Sequence, residues 1–302
     1  MTLATVDVHT HLGQHGVHVH APLATDELRA WGKVSWDVTP EQHLIDATSA
    51  DTSIVLAFDA EPVGVVVSNE YVAKTVAGHD NLIGFASVNP NRPGAPQLLA
   101  DAIEKLGLRG LKLGPTYQHF SAHDTLALDL IEVANHYKVP VLWHQGTTFT
   151  PSAVGEVARP LDLDLVARQF PDLPMWIAHF GHPWMAEAIS VVRRHEHMYV
   201  DVSALDTRPW QLAQSLACAY EYRVMDKMLF GTDYPFSTVE RTLAGLEKAA
   251  AMCERLEIAP LSGLDVDAIR YRDSLSLLGL APSLPTSSSP PPSAANTNNQ
   301  QE

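Results

Sequence analysis

Apolar, β-branched runs of strand length recur eight times along the chain. They read "TVDVH" (5–9), "TSIVLAF" (52–58), "LIGFASV" (82–88), "LRGLKLG" (108–114), "VPVLWH" (139–144), "LPMWIAH" (173–179), "MYVDVS" (198–203) and "KMLFGTD" (227–233). Segments with apolar residues at three- and four-residue steps lie between them. Examples are 96–107, which ends on Gly107, 124–137 and 184–195. A strand period alternating with a helix period predicts βαβ units and a parallel sheet. Eight such units in roughly 250 residues predict a closed (β/α)8 TIM barrel. The alternative is a doubly wound open sheet, which wants a Gly-rich turn after the first strand. The sequence there is "HTHLGQHG", with no GxGxxG.

Two regions stand outside the repeat. Residues 12–38 form a long connection with His15, His18, His20, Trp31 and Trp36, expected to act as a lid over a site. Residues 281–302 are rich in Pro, Ser and Asn without a periodic apolar face, so a disordered tail is expected after a barrel ending at 280. The net charge of −15 argues against a nucleic-acid partner, which would need clustered Lys and Arg. No apolar run is long enough to span a membrane. The two cysteines, Cys218 and Cys253, are expected as free thiols, and with no secretory signal in view the cytoplasm is the expected location.

In such a barrel, polar residues at the last inward position of a strand are catalytic candidates. His9 and His11, Lys112, His144, His179 and Asp233 end strands one, four, five, six and eight. Residues two apart on a strand share a face, so His9 and His11 aim at one point, with Asp7 expected one layer deeper on the same face. A lone His-x-His pair also fits two loop histidines bonded to their neighbours. His144 and Asp233, arriving from strands five and eight, add donors suited to Zn, Mn, Fe or Co.

Together, "DVHTH" (7–11), "GLKL" (110–113), "LWHQG" (142–146), "AHFGHPW" (178–184), "YVDVS" (199–203), "FGTDYPF" (230–236) and "SLLGL" (276–280) resemble the amidohydrolase superfamily. The similarity is to its amidohydrolase-related branch, which includes aminocarboxymuconate semialdehyde decarboxylase. It covers about residues 4–280. The resemblance implies a distorted (β/α)8 barrel binding one divalent metal, most often zinc, through His9, His11, His144 and Asp233. It also implies that His179 contacts substrate beside the metal and that Asp233 accepts a proton from the activated water. Family members commonly dimerise, so a homodimer is expected. "GHPW" departs from the Gly-rich turn of the muconate semialdehyde enzyme, and Asp7 stands where many decarboxylases of the branch carry Glu.

Specificity should sit in the loops after the strands. Tyr117 and His119 follow strand four, His182 and Trp184 follow strand six, and Arg208 follows strand seven as a clamp for a substrate carboxylate. Lys112 is read as a cation for a substrate carboxylate or as the partner of Asp7. Asp7 is read either as a group orienting a metal ligand or as a buried acid paired with Lys112. The His-rich 14–20 stretch fits a variable lid better than a second metal site. Phosphoesterases with a His-x-His strand end in Asp-x-His, and TatD-like nucleases carry "GEIGLD" on strand four; this chain has "TDYPF" and "RGLKLG". A binding barrel without catalysis would have lost ligands, and none is missing. The expected activity is metal-dependent hydrolysis of a small carboxylated ring, lactone or enol compound, with non-oxidative decarboxylation as the alternative.

Overall fold

The computed structural model describes residues 3–281. Eight strands form the barrel: β1 (Val6–His11), β2 (Thr52–Leu56), β3 (Leu82–Phe85), β4 (Leu111–Leu113), β5 (Val141–Trp143), β6 (Met175–Ile177), β7 (Met198–Asp201) and β8 (Met228–Leu229). They coincide with the eight predicted runs; β1 extends past its run to His11, and the other seven are shorter than theirs. β1, β2 and β3 pair in parallel, as do β4 through β8. Backbone bonds join the two arcs. Ala86 N donates to Gly110 O (2.8 Å) and Lys112 N to Ala86 O (2.7 Å) between β3 and β4. At the other seam Val8 N donates to Phe230 O (3.0 Å), Asp233 N to His9 O (2.8 Å) and His11 N to Tyr234 O (2.7 Å). With both seams bonded, the eight described barrel strands each have a neighbour on either side. The tail expectation lies, from residue 282, outside the described residues.

The barrel is filled rather than hollow. Val6, Val8, Ile54, Leu56, Phe85, Leu142, Trp176, Tyr199 and Leu229 form the interior cluster, and Leu278 and Leu280 cap it from below. Arg109 donates to the carbonyl of Leu280 (2.8 Å) and holds that cap against the strands. Outward strand residues pack on the helices. In Thr125–Tyr137 the buried positions Ala127, Leu130, Ile131 and Ala134 follow the helical period, and Lys138 ends the helix in the left-handed conformation. Each buried Leu or Ile contributes roughly 1.5–3 kcal/mol by leaving water.

β1 departs from simple alternation. Asp7 is opposite Ser53 on β2, but Thr10 is opposite Val55, so β1 advances three residues while β2 advances two. Such a bulge lets two successive side chains face one way. Val8 therefore fills the interior while His9, next to it, reaches the barrel mouth. The expectation that Asp7 shares a face with His9 and His11 fails for this reason. Asp7 lies at the β1–β8 seam and accepts from Thr232 N (3.0 Å), Thr232 Oγ1 (2.6 Å) and His9 N (3.1 Å). It does not pair with Lys112. Burial raises its carboxyl to about 7, against the pull of those hydrogen bonds.

The helix Pro40–Asp46 is pinned to β1 through His43. The Thr10 hydroxyl donates to Ile54 O (2.7 Å), so it accepts from His43 Nε2 (2.9 Å). Burial depresses His43 to about 4. A base with a lowered folded pKa is protonated more readily when unfolded. Its contribution to stability is therefore lost as pH falls from about 6.5 toward about 4. Chemical denaturation from about pH 7 to about pH 5 should show the natural chain losing about 2 kcal/mol more than His43→Gln. Equal losses in the two proteins would show that His43 titrates normally.

Candidate metal centre and substrate cavity

A cavity of about 590 Å³ opens at the C-terminal ends of the strands. His9, His11, Lys112, Tyr117, His144, His179, His182, Arg208 and Asp233 all line it, bringing together residues up to 224 positions apart. Asp7 supports it from behind, through the backbone of His9. Two sequence candidates lie elsewhere. His119 takes a left-handed conformation (φ 58°) at the end of the helix Pro115–Gln118, which turns it outward to bond Ser152 O at 2.8 Å. Trp184 precedes the helix Met185–Arg194 and packs under the Arg159 guanidinium, 5.3 Å from its ring, outside the cavity wall.

The long first connection lines the cavity with Leu23, Trp31, Lys33, Ser35 and Trp36. Gly13 and Val38 bond each other reciprocally (3.0 and 2.7 Å) and close its neck. Trp36 donates to Leu12 O (3.2 Å), lies 4.8 Å from the His11 ring and stands nearly parallel to Phe58 at 6.1 Å. Trp31 meets Phe149 at 4.4 Å and Phe236 at 6.0 Å, so three loops meet above the cavity. The loop histidines do not gather. His18 accepts from Gln14 N and His20 bonds Val17 O. Among the described residues they join no group of metal donors.

His9 Nε2, His11 Nε2 and Asp233 Oδ1 form a nearly equilateral triangle with sides of 3.2, 3.3 and 3.3 Å. Donors about 2.0–2.1 Å from a tetrahedral ion stand about 3.3–3.4 Å apart. The triangle is therefore sized for a divalent metal ion. His9 has the right protonation for it. Its Nδ1 bonds Asp201 Oδ2 at 2.9 Å, while its Nε2 faces the Lys112 ammonium at 3.3 Å and must accept. His179 approaches Asp233 from the other side, Nε2 to Oδ2 3.8 Å. His144 stands off the triangle, with Nε2 3.3 Å from the carbonyl of Thr147.

Burial dominates the electrostatics. It pushes His9, His11 and His179 well below the ordinary histidine range, and the neighbouring cations and histidines add to this. His144 falls to about 3 and His182 to about 4 for the same reason. Burial lowers Lys112 to about 8, opposed by Asp233 and Asp201. It raises Asp233, opposed by Lys112. The histidines are thus neutral donors of lone pairs, the form that binds a metal.

Sequence reasoning missed Asp201, which is fully buried at the end of β7. The rule that picked out the other strand ends applies to it equally, since "YVDVS" presents Asp201 and Ser203 on one face. The aromatic walls from Phe58, Phe149 and Phe236 carried no such signal, because a loop phenylalanine reads as core.

Comparison with known proteins agrees with this geometry. An uncharacterised TIM-barrel protein of Bordetella bronchiseptica superposes with a TM-score of 0.69 at 19% identity, over 91% of this chain and 98% of that one. A dihydroxybenzoic acid decarboxylase of a Polaromonas species, solved with manganese and the inhibitor 2-nitroresorcinol, gives 0.60 at 16%, covering 92% and 97%. A probable 2-pyrone-4,6-dicarboxylic acid hydrolase of Acinetobacter baumannii, solved with citric acid, gives 0.60 at 14%, covering 91% and 99%. At these identities the likeness shows the fold, a TIM barrel. No curated protein sequence matches significantly. The amidohydrolase family model matches residues 6–271, nearly the whole described chain. By that match, and with the strand-end histidines and aspartate gathered at one mouth, the chain belongs to the amidohydrolase family.

Proposed function

We propose that the protein is a metal-dependent hydrolase of a small, carboxylated ring, lactone or enol compound. The observation that carries this reading is the 3.2–3.3 Å triangle of His9, His11 and Asp233 in a cavity that Lys112 and Arg208 also line. We assign His9, His11 and Asp233 as ligands of one divalent ion, zinc in the first instance, with His144 of the same cavity as the fourth. When bound, such an ion supplies Lewis acidity and makes water a nucleophile near neutral pH. Asp233, as the carboxylate among these groups, would serve as the acceptor for a proton from a water held there. His179 faces Asp233 across 3.8 Å and can contact the substrate beside the metal, its Nε2 accepting a hydrogen bond from a substrate hydroxyl. Lys112 at the floor and Arg208 at the rim suit a substrate carboxylate. Tyr117 and His182 complete the polar wall.

A second reading is supported by the aromatic wall. Trp36, Phe58 and Tyr117 line the cavity beside the donor triangle, and such an aromatic wall suits a flat ring. Loss of CO2 from an aromatic carboxylate is the reaction this wall favours. No described helix is long and apolar enough to cross a membrane. We read the enzyme as cytoplasmic, with Cys218 and Cys253 unpaired, and as a homodimer.

Three outcomes test this. Elemental analysis should find a divalent ion in the natural chain and only a small fraction of it in His9→Ala and Asp233→Asn; full occupancy in both variants would overturn the ligand assignment. Mass spectrometry of products from lactones, enol acids and aromatic carboxylates should show a gain of one water that a chelator abolishes. Chelator-sensitive loss of CO2 would instead establish the second reading. With the substrate so found, Arg208→Ala should raise KM roughly 10- to 100-fold with a smaller change in kcat, as removal of a charge-assisted hydrogen bond does. An unchanged KM would remove Arg208 from carboxylate binding.

A further inference from the structure

Asp201 and Ser203 stand side by side at the end of β7, both fully buried. Asp201 Oδ1 accepts from His179 N (2.8 Å), from Ser203 N (3.1 Å) and from the Ser203 hydroxyl. Backbone N–H groups only donate, so this oxygen is an acceptor. The single hydroxyl proton of Ser203 points to it. Toward His179 Nδ1, 2.7 Å away, the same Ser203 oxygen can then only accept. The Ser203 carbonyl, which also only accepts, lies 3.3 Å from that nitrogen. The nearer acceptor, Ser203 Oγ, puts the proton of His179 on Nδ1, with only the longer contact to the Ser203 carbonyl beside it. Its Nε2 has no acceptor within hydrogen-bonding distance among the described residues; the Asp233 carboxylate is 3.8 Å away. His9 obeys the same logic, with Nδ1 held by Asp201 Oδ2 at 2.9 Å and by Ser203 Oγ at 3.3 Å.

We infer that Asp201 and Ser203 form a tautomer lock. One buried carboxylate fixes His9 directly, and His179 through the Ser203 hydroxyl, so that both imidazoles present a bare Nε2 to the same region of the cavity. The two rings stack 4.9 Å apart and 19° from parallel. Reversal of either tautomer would aim an N–H where a lone pair is needed. Asp201 and Ser203 are positioning residues that act through the two histidines. The consequence for metal affinity rests on the metal-site reading above; the tautomers themselves do not.

The test uses the full chain, labelled with 15N-histidine and stripped of metal by a chelator. Long-range 1H–15N spectra should show the Nδ1–H pattern for both His9 and His179. Ser203→Ala should give His179 a substantial Nε2–H population and leave His9 unchanged, and Ser203→Thr should restore His179. An Nε2–H pattern for His179 in the natural chain, or an unaltered pattern in Ser203→Ala, would overturn the lock. Zn2+ competition against a chelator should show Asp201→Asn binding about 10- to 100-fold more weakly, with a smaller loss in Ser203→Ala. Should Asp201→Asn fail to fold, the two Ser203 variants decide alone. Unchanged Zn2+ affinity in a folded Asp201→Asn protein whose tautomers have switched would overturn the metal-site reading and uphold the lock.

Discussion

Between Asp7 and Thr10 the first strand gains one residue on its neighbour, and the arrangement of the mouth follows from that slip. Without it, strict alternation would put either Val8 or His9 inside, never both. With it, Val6 and Val8 pack against Trp176 and Leu229 in the interior, and His9 and His11 emerge together above them. Asp7, left on the opposite face, takes both the N–H and the hydroxyl of Thr232 and so ties β1 to the residue preceding Asp233. Gly231 leaves the room this needs, since a Cβ there would come within 3.2 Å of the His9 Cβ. The three corners of the donor triangle are thus held by one irregularity and the carboxylate beside it.

Much of this was legible in the chain. Strand period alternating with helix period located all eight strands, and the strand-end rule gathered His9, His11, Lys112, His144, His179 and Asp233 at one cavity. The failures have physical causes. A bulge leaves no mark on the hydrophobic pattern, so Asp7 was assigned the wrong face. The loop residues His119 and Trp184 lack the fixed direction that a strand imposes, and local helix ends turned both away. Asp201 was within reach of the same rule as its neighbours. Its role as acceptor for His9 depends on the approach of two strands that are 192 residues apart, which spacing alone does not reveal.

The mouth is crowded with groups that dislike burial as ions. Five histidines, one lysine and two aspartates are buried together at the mouth. Hydrogen bonds resolve part of the conflict by giving His9 and His179 a fixed donor side. Depressed histidines and a lowered Lys112 resolve another part, because neutral forms are cheaper to bury. The result is a set of lone pairs aimed inward with few local donors to satisfy them, under a roof of Trp31, Trp36, Phe149 and Phe236 that keeps bulk water out.

The first and last described segments meet at this barrel. The seam joins residues 8–11 to residues 230–234, and the interior is capped by Leu278 and Leu280. A ribosome therefore releases the first strand long before the partner that closes it. Until residue 234 is free, the nascent chain is an open arc with exposed strand edges, and its apolar interior lacks a floor until residue 280. A fragment that stops before residue 228 cannot assemble the mouth, because it lacks Asp233 and the strand that closes the ring. The donor triangle therefore comes into being with the closing strand, although the first strand already carries two of its three corners.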